Sequence, residues 1–269
     1  MFIGDQMKKS ALFFDIDGTI LSEFTGEIPD STLKAFEQAQ KNGHLLFINS
    51  GRTWICIPDE IRKYPFDGYL CGCGSYLVFR DQVILESHLS LERGKEIIDK
   101  MLECGLDGIM EGTDDIYFHR DKSRFPDVER IRYIFKEQNI GIDKYIKDDS
   151  FVYDKFCVFA DEKSDKEEFF KFLSKDMKII DRGNEMYEII QKPYSKGTAC
   201  GIILKELGIS LEDAYVFGDS SNDVEMFQFA KHAVAMGVHA EVLEPYTEFV
   251  TKTVEDGGIA YAMKHYGLI

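Results

Sequence analysis

No stretch of this 269-residue chain approaches the run of about 18 uninterrupted apolar residues that a membrane-crossing helix needs. Positive charge is also scarce: 32 Lys plus Arg stand against 48 Asp plus Glu, a formal net charge of -16 that opposes the phosphate backbone of nucleic acid and the anionic face of a membrane. Neither nucleic acid nor membrane is an expected partner. No low-complexity tract or internal repeat occurs, and 44% hydrophobic residues with 13% aromatics fall in the globular range, which argues against long disorder. The cysteines Cys56, Cys71, Cys73, Cys104, Cys157 and Cys200 lack the paired spacing of a zinc site or a disulfide framework. Cys71 and Cys73 would share one side of a strand, but no second pair completes a four-ligand set, so reduced, buried thiols of an intracellular protein are expected. The opening MFIGDQMKKS lacks the charged-then-apolar order of a secretion signal. A soluble, cytoplasmic protein is expected, and the lead-in before Met7 reads as dispensable.

The chain is long enough for two modest domains. Residues 10–16 read as a buried strand, PDSTLKAFEQAQKNG as a helix capped by Asp30 or Ser31, and HLLFINS as a second buried strand. Continuous apolar strands separated by a helix make a parallel βαβ unit covered on both faces. The same order returns near the C-terminus, in KGTACGIILKELGI, AYVFGDS, SNDVEMFQFAK and HAVAMG, with EFVTKT as an edge strand and a closing helix. The pattern between is looser and mixes amphipathic helices with short strands. An α/β fold follows: a Rossmann-like core of residues 1–82 and 189–269 with a parallel sheet, interrupted by an α+β domain over 83–188.

Ligands of open parallel sheets bind beyond the carboxyl ends of the strands. The residues just past each buried strand are Asp15 and Asp17, Ser50, and Asp219 with Ser220, Asn222 and Asp223, while Lys196 opens a core helix. Crowded carboxylates repel, and a hard divalent cation with oxygen ligands is the simplest way to hold Asp15, Asp17, Asp219 and Asp223 together. Mg²⁺ fits such a site, because it needs few protein ligands and keeps places for water and a phosphate oxygen. With Lys196 and the Ser50 hydroxyl added, the set suits a phosphoryl group, so a small anionic substrate is compatible with the acidic chain.

DIDGT at 15–19, SGR at 50–52, SKG at 195–197 and GDSSND at 218–223 resemble, in order, the four signature motifs of the haloacid dehalogenase (HAD) superfamily. The long insert resembles the C2-type cap of its Cof-like branch of sugar-phosphate phosphatases. VAMG at 234–237 and EDGGIA at 255–260 match C-terminal phrases of that branch. Two places depart from it: Cys73, Gly74 and Ser75 stand where Asn-Gly-Ala is common, and AMGVHA where AMGNA is usual. The resemblance implies that Asp15 is the nucleophile, forming an aspartyl-phosphate, and Asp17 the general acid and base. Mg²⁺ would be held by the Asp15 carboxylate, the Asp17 carbonyl and Asp219, with Asp223 either a direct ligand or beside it. Ser50, Gly51, Lys196, Asn222 and Ile16 would hold the phosphoryl oxygens, the first through its hydroxyl and Gly51 and Ile16 through their amides.

Weaker readings stand beside these. Thr19 either orients the acid or caps the turn, and Arg52 either meets substrate or ties loops together. Ser50 alone would read as a helix cap. The six histidines show no ligand spacing, and Phe169, Phe170 and Phe172 read as core. The inserted domain is expected to close over the core and set specificity, with Glu188 the better candidate for a substrate contact and Glu111, Asp114 and Tyr117 weaker ones. The expected activity is Mg²⁺-dependent hydrolysis of small phosphorylated metabolites, sugar phosphates foremost. The alternatives are a phosphomutase or phosphotransferase on the same scaffold, and a non-catalytic metal- and phosphate-binding module.

Overall fold

The computed structural model describes residues 9–269, so the lead-in before Met7 lies outside the described residues. Strand β1 (Ala11–Phe14) and strand β2 (Leu45–Asn49) are buried at every position, as strands covered on both faces must be. Helix α1 (Asp30–Lys41) connects them and buries Thr32, Ala35, Phe36 and Ala39, one stripe of a 3.6-residue period. Neither Asp30 nor Ser31 caps this helix: the extended Pro29 occupies the cap position, and Asp30 becomes the first helical residue, where its carboxylate still favours the positive end of the helix dipole. Helix α2 (Asp59–Lys63) and strands β3 (Gly68–Cys71), β4 (Tyr76–Phe79) and β5 (Gln82–Glu86) follow.

The inserted stretch supplies α3 (Leu91–Glu103), β6 (Asp107–Glu111), β7 (Ile116–His119), α4 (Pro126–Glu137), β8 (Tyr145–Ile146), β9 (Lys155–Phe159), α5 (Lys166–Leu173), β10 (Met177–Asp181) and β11 (Met186–Gln191). The chain then forms α6 (Lys196–Leu207), β12 (Ala214–Gly218), α7 (Val224–Phe229), β13 (His232–Ala235), the short edge strand β14 (Phe249–Val250) and α8 (Gly258–His265).

Two sheets result. The first runs β14-β13-β12-β1-β2-β3-β4-β5, parallel from β14 to β3 and turning antiparallel at β4. Phe14 at the end of β1 lies opposite Ile48 of β2 and Phe217 of β12, so these three strands end side by side. The Phe13–Phe47 and Phe14–Phe217 ring pairs, with centroids 5.1 and 4.6 Å apart, lock this register. The second sheet runs β10-β11-β9-β6-β7-β8 and is antiparallel except where β7 meets β8. Strand alternation divides its faces: Met110, Tyr117, Phe156, Val158, Tyr187 and Ile189 pack with α3 and α5, whereas Ile109, Ile116, Phe118, Cys157 and Phe159 pack with Val128 of α4 and with Cys56.

The chain divides into two compact units, one made of the chain up to Gly51, Asp59–Ile84 and Ser195–Ile269, the other of Arg52–Pro58 and Leu85–Tyr194. These limits differ from the expected insert of 83–188. The second unit keeps all of β11, which pairs with β9 and β10 on its two sides and cannot be cut at Glu188. It also takes in Arg52–Pro58, because Cys56 is buried in the α4-side cluster and the Ile55 amide donates to the Thr113 carbonyl at 3.1 Å. Phe169 is fully buried, and Phe170 and Phe172 pack against the same cluster.

Candidate active site

Asp15 is the first residue beyond β1, and its amide donates to the Phe217 carbonyl at 3.0 Å, which continues the ladder one step past the strand. The chain then turns: the Ile16 carbonyl accepts from the amides of Thr19, Ile20 and Leu21 at 3.3, 3.0 and 2.9 Å. Gly18 makes the turn in a left-handed conformation (φ +72°), and a Cβ there would stand 2.6 Å from an Asp219 carboxylate oxygen. Thr19 donates its hydroxyl to Asp219 Oδ1 at 2.9 Å, so its partner is the aspartate beyond β12.

The GDSSND segment folds back on itself in the same way. Asp223 Oδ2 accepts from the amides of Asp219 and Ser220, both at 3.0 Å, and a Cβ on Gly218 would lie 2.6 Å from the Asp223 carboxyl carbon. The other oxygen of Asp223 faces Lys196. Lys196 opens α6 behind a reciprocal cap, in which Ser195 Oγ accepts from the Thr198 amide at 3.1 Å and Thr198 Oγ1 accepts from the Ser195 amide at 2.9 Å. From there its ammonium donates to Asp15 Oδ1 and Asp223 Oδ1, 2.6 Å to each.

The cluster carries more negative charge than it balances. Asp15, Asp219 and Asp223 each bring a carboxylate oxygen within 4.8 Å of the others, while Lys196 supplies a single ammonium. Burial, held back by Lys196 and reinforced by Asp223 and Asp219, pushes the Asp15 carboxyl well above its ordinary range. Asp219 is pushed up to about 7, by burial first and the Asp223 charge second, against the Thr19 hydrogen bond and Lys196. Burial works against the charged form of Lys196, but Asp15 and Asp223 outweigh it and hold the ammonium above its ordinary value. Three oxygen donors with surplus negative charge suit a hard divalent cation.

The remaining expected site residues are distributed over both units. Asp17 lies within the turn, immediately before Gly18, and its carboxylate does not belong to the three-aspartate group. Ser50 is the first residue beyond β2, its amide donating to the Leu70 carbonyl at 2.8 Å and its carbonyl accepting from the Cys73 amide at 3.1 Å. Asn222 Oδ1 accepts from the Ser220 hydroxyl at 2.9 Å. Arg52 is in the second unit and donates from Nη1 to the Cys56 carbonyl at 3.0 Å. Glu188 is buried on the α4 side of the second sheet, where Lys155 Nζ lies 2.5 Å from it and 3.5 Å from Glu111. Tyr117 is corrected: it points to the opposite face and stacks on Phe151 with centroids 3.8 Å apart, because the alternation of β7 turns it into the α3 and α5 core. Asp114 is exposed in the β6–β7 turn. Two residues with a part in these clusters went unread in the sequence. Lys155 is hidden in the strand KFCVF, and Asn49 is the one amide closing the apolar run LLFIN.

The haloacid dehalogenase-like hydrolase family model matches residues 12–263. The chain belongs to this family. YkrA of Bacillus subtilis is 28% identical, the match covering 98% of this chain and 100% of the relative. The phosphatase YwpJ of the same organism is 23% identical over 93% of this chain and 97% of its own. Among solved structures, the HAD subclass IIB sugar phosphatase BT4131 superposes with a TM-score of 0.82 at 28% identity, covering 97% of this chain and 100% of that one. TM0651 from Thermotoga maritima shares the fold, with a TM-score of 0.79 at 22% identity over 96% and 97% of the two chains. This haloacid dehalogenase-like protein is a phosphatase.

Proposed function

We propose that this phosphatase hydrolyses phosphate monoesters of small metabolites, sugar phosphates foremost, through an aspartyl-phosphate on Asp15 and with Mg²⁺ as cofactor. The observation that carries the reading is the Lys196 ammonium held at 2.6 Å from both Asp15 and Asp223, beside a third aspartate with surplus negative charge. The sugar-phosphate class is supported by the likeness to a sugar phosphatase over 97% of this chain. Mg²⁺ bound by Asp15, Asp219 and the Asp17 carbonyl, with Asp223 beside it, would neutralise the surplus charge and polarise the phosphoryl group.

In the first step the Asp15 carboxylate attacks phosphorus, the bond from phosphorus to the ester oxygen breaks, and Asp17 gives its proton to the departing alkoxide. In the second, Asp17 takes a proton from water, the oxygen of that water bonds to phosphorus, and the bond to Asp15 breaks to release inorganic phosphate. A carboxylate needs no base to become a nucleophile, but it must approach a dianion, and Lys196 offsets that repulsion. Ser50, the Gly51 and Ile16 amides and Asn222 are assigned to the other phosphoryl oxygens. Substrate choice is assigned to the insert, with Glu188 as a contact, and Arg52 is assigned to substrate. Six buried thiols support a reducing, cytoplasmic setting.

The test is phosphate release from an aryl phosphate with Mg²⁺, with chelator, and with added sugar acceptors. Release that stops with chelator is expected. Transfer to a sugar hydroxyl without phosphate release would replace hydrolysis by the phosphotransferase alternative. Asp15→Asn should abolish capture of fluoroberyllate; undiminished capture would remove Asp15 as nucleophile.

A further inference from the structure

Asn49 is fully buried at the end of β2, in a strand otherwise made of Leu, Leu, Phe and Ile. Its amide nitrogen donates to the Lys196 carbonyl at 3.0 Å, to Cys200 Sγ at 3.2 Å and to Met226 Sδ at 3.5 Å. These are one backbone and one side-chain acceptor a turn apart on α6, and one side chain on α7. Three acceptors around one nitrogen also fix which way the amide points, since turning it over would set oxygen against oxygen. Its Oδ1 is then left buried with no hydrogen-bond partner among the described residues. Burying an unpartnered amide oxygen is destabilising, and a leucine of similar volume would avoid that cost. An amide kept at such a position needs a reason other than packing.

The reason is what α6 carries. Lys196 is the first residue of that helix, and its ammonium is shared between Asp15 and Asp223 at 2.6 Å each. Ser195 and Thr198 fix the direction in which the helix starts, and Gly197 lets α6 and α7 meet backbone to backbone, since a Cβ there would stand 2.4 Å from the Glu225 carbonyl oxygen. Neither device ties the start of α6 to the sheet. Asn49 does, from the strand end adjacent to Ser50, and it reaches the carbonyl of the lysine residue itself.

We infer that Asn49 is a positioning residue for Lys196, holding the first turn of α6 at the carboxyl end of β2 so that the ammonium stays placed for the phosphoryl group. The inference rests on the proposed phosphatase mechanism only for what Lys196 does, and on the geometry alone for what Asn49 does. Displacements on the order of 1 Å at a reacting centre cost up to about a hundredfold in rate. Asn49→Leu and Asn49→Ala in the full chain should therefore lower kcat for an aryl phosphate by about 10- to 100-fold, with KM moved less than about threefold and the loss not restored by cooling. The thermal midpoint of Asn49→Leu should equal or exceed that of the native chain. Wild-type kcat within about twofold in either variant would overturn the inference. So would a lowered midpoint in both variants with loss of activity in proportion to loss of folded protein, which would make the amide a packing group. A crystal structure of Asn49→Leu supplies a readout independent of turnover: Lys196 Nζ drawn away from Asp15 and Asp223 supports the inference, and an unmoved ammonium sinks it. If the native protein releases no phosphate from any monoester, the functional reading fails while this structural test still decides the role of Asn49.

Discussion

Each unit buries a lysine between two acidic side chains, and the two clusters differ in their remaining charge. In the first, Lys196 serves Asp15 and Asp223, and a third carboxylate, Asp219, stands within the same group. In the second, Lys155 serves Glu188 and Glu111, and Arg182 Nη1 lies 3.9 Å from Glu188 Oε2. The named groups of the second cluster balance, two cations against two anions; those of the first leave two negative charges. Burying a balanced set costs desolvation but leaves no demand for a further ion. The unbalanced set resists ionisation until a cation arrives, and its raised Asp15 and Asp219 pKa values express that resistance. The composition of the partners, more than the presence of a buried lysine, separates a cluster that calls for a further cation from a balanced one.

The sharpest way to break this comparison is to neutralise each lysine in turn. Lys196→Met should lower phosphate release by about 10²–10³-fold, the range seen when a group that stabilises transition-state charge is removed. Activity within about tenfold of native would take Lys196 out of the chemistry. Lys155→Met should act on folding instead, lowering the unfolding free energy measured in urea by about 3–5 kcal/mol, because two carboxylates lose their shared partner. Adding Glu188→Gln should recover part of that loss; a double variant as unstable as the single one would mean that the Lys155–Glu188 pair is not what is being measured.

The same contrast explains how much could be read without coordinates. The core strands were legible because LFF and LLFI are apolar at every position, which only a strand covered on both faces demands, and Asp15, Asp219 and Asp223 were legible because the carboxyl ends of such strands are where a parallel sheet binds ligands. The insert gave up its elements but not its cluster. Its sheet alternates, so whether Glu111 or Tyr117 faces the core depends on register, and register depends on pairings such as Glu111 with Lys155 that link residues far apart in sequence. Lys155 has no local signal at all: in KFCVF a strand-opening lysine reads as an edge charge. Asn49 had one, an amide closing an apolar run, but its partners on α6 and α7 lie far along the chain.

A smaller effect tests the surplus charge directly. Mg²⁺ at a hundredfold excess over its dissociation constant should raise the unfolding free energy by about 2.7 kcal/mol through binding to the native state alone. The gain should vanish in Asp219→Asn and persist in Glu188→Gln. Thermal melts with and without the ion check this. A gain that survives Asp219→Asn, or one that Glu188→Gln removes, would mean that the demand for a cation does not sit where the unbalanced carboxylates are.

The smallest expected effect belongs to a histidine pair in the insert, where the protein supplies the charge partner itself. His88 Nδ1 meets Asp154, whose side chain is 1% exposed, and His88 Nε2 lies 3.0 Å from Glu86 Oε1. Asp154 also accepts from the Thr113 hydroxyl at 2.9 Å. Burial pulls the His88 pKa down, but the hydrogen bonds and charges of Asp154 and Glu86 outweigh it, and the net shift is upward from 6.5. Burial raises the Asp154 carboxyl as well, against the pull of His88 and Thr113, which limits the gain from the pair. A histidine whose folded pKa is raised contributes stability that is complete below its unfolded value and is lost as pH rises through the folded one. His88→Gln should therefore cost about 1 kcal/mol in urea unfolding at about pH 5.5 and much less at about pH 9. A cost that is equal at both, or larger at high pH, would show that the His88 contact with Asp154 acts as a neutral hydrogen bond, and the internal charge pairing of the insert would then rest on the Lys155 cluster alone.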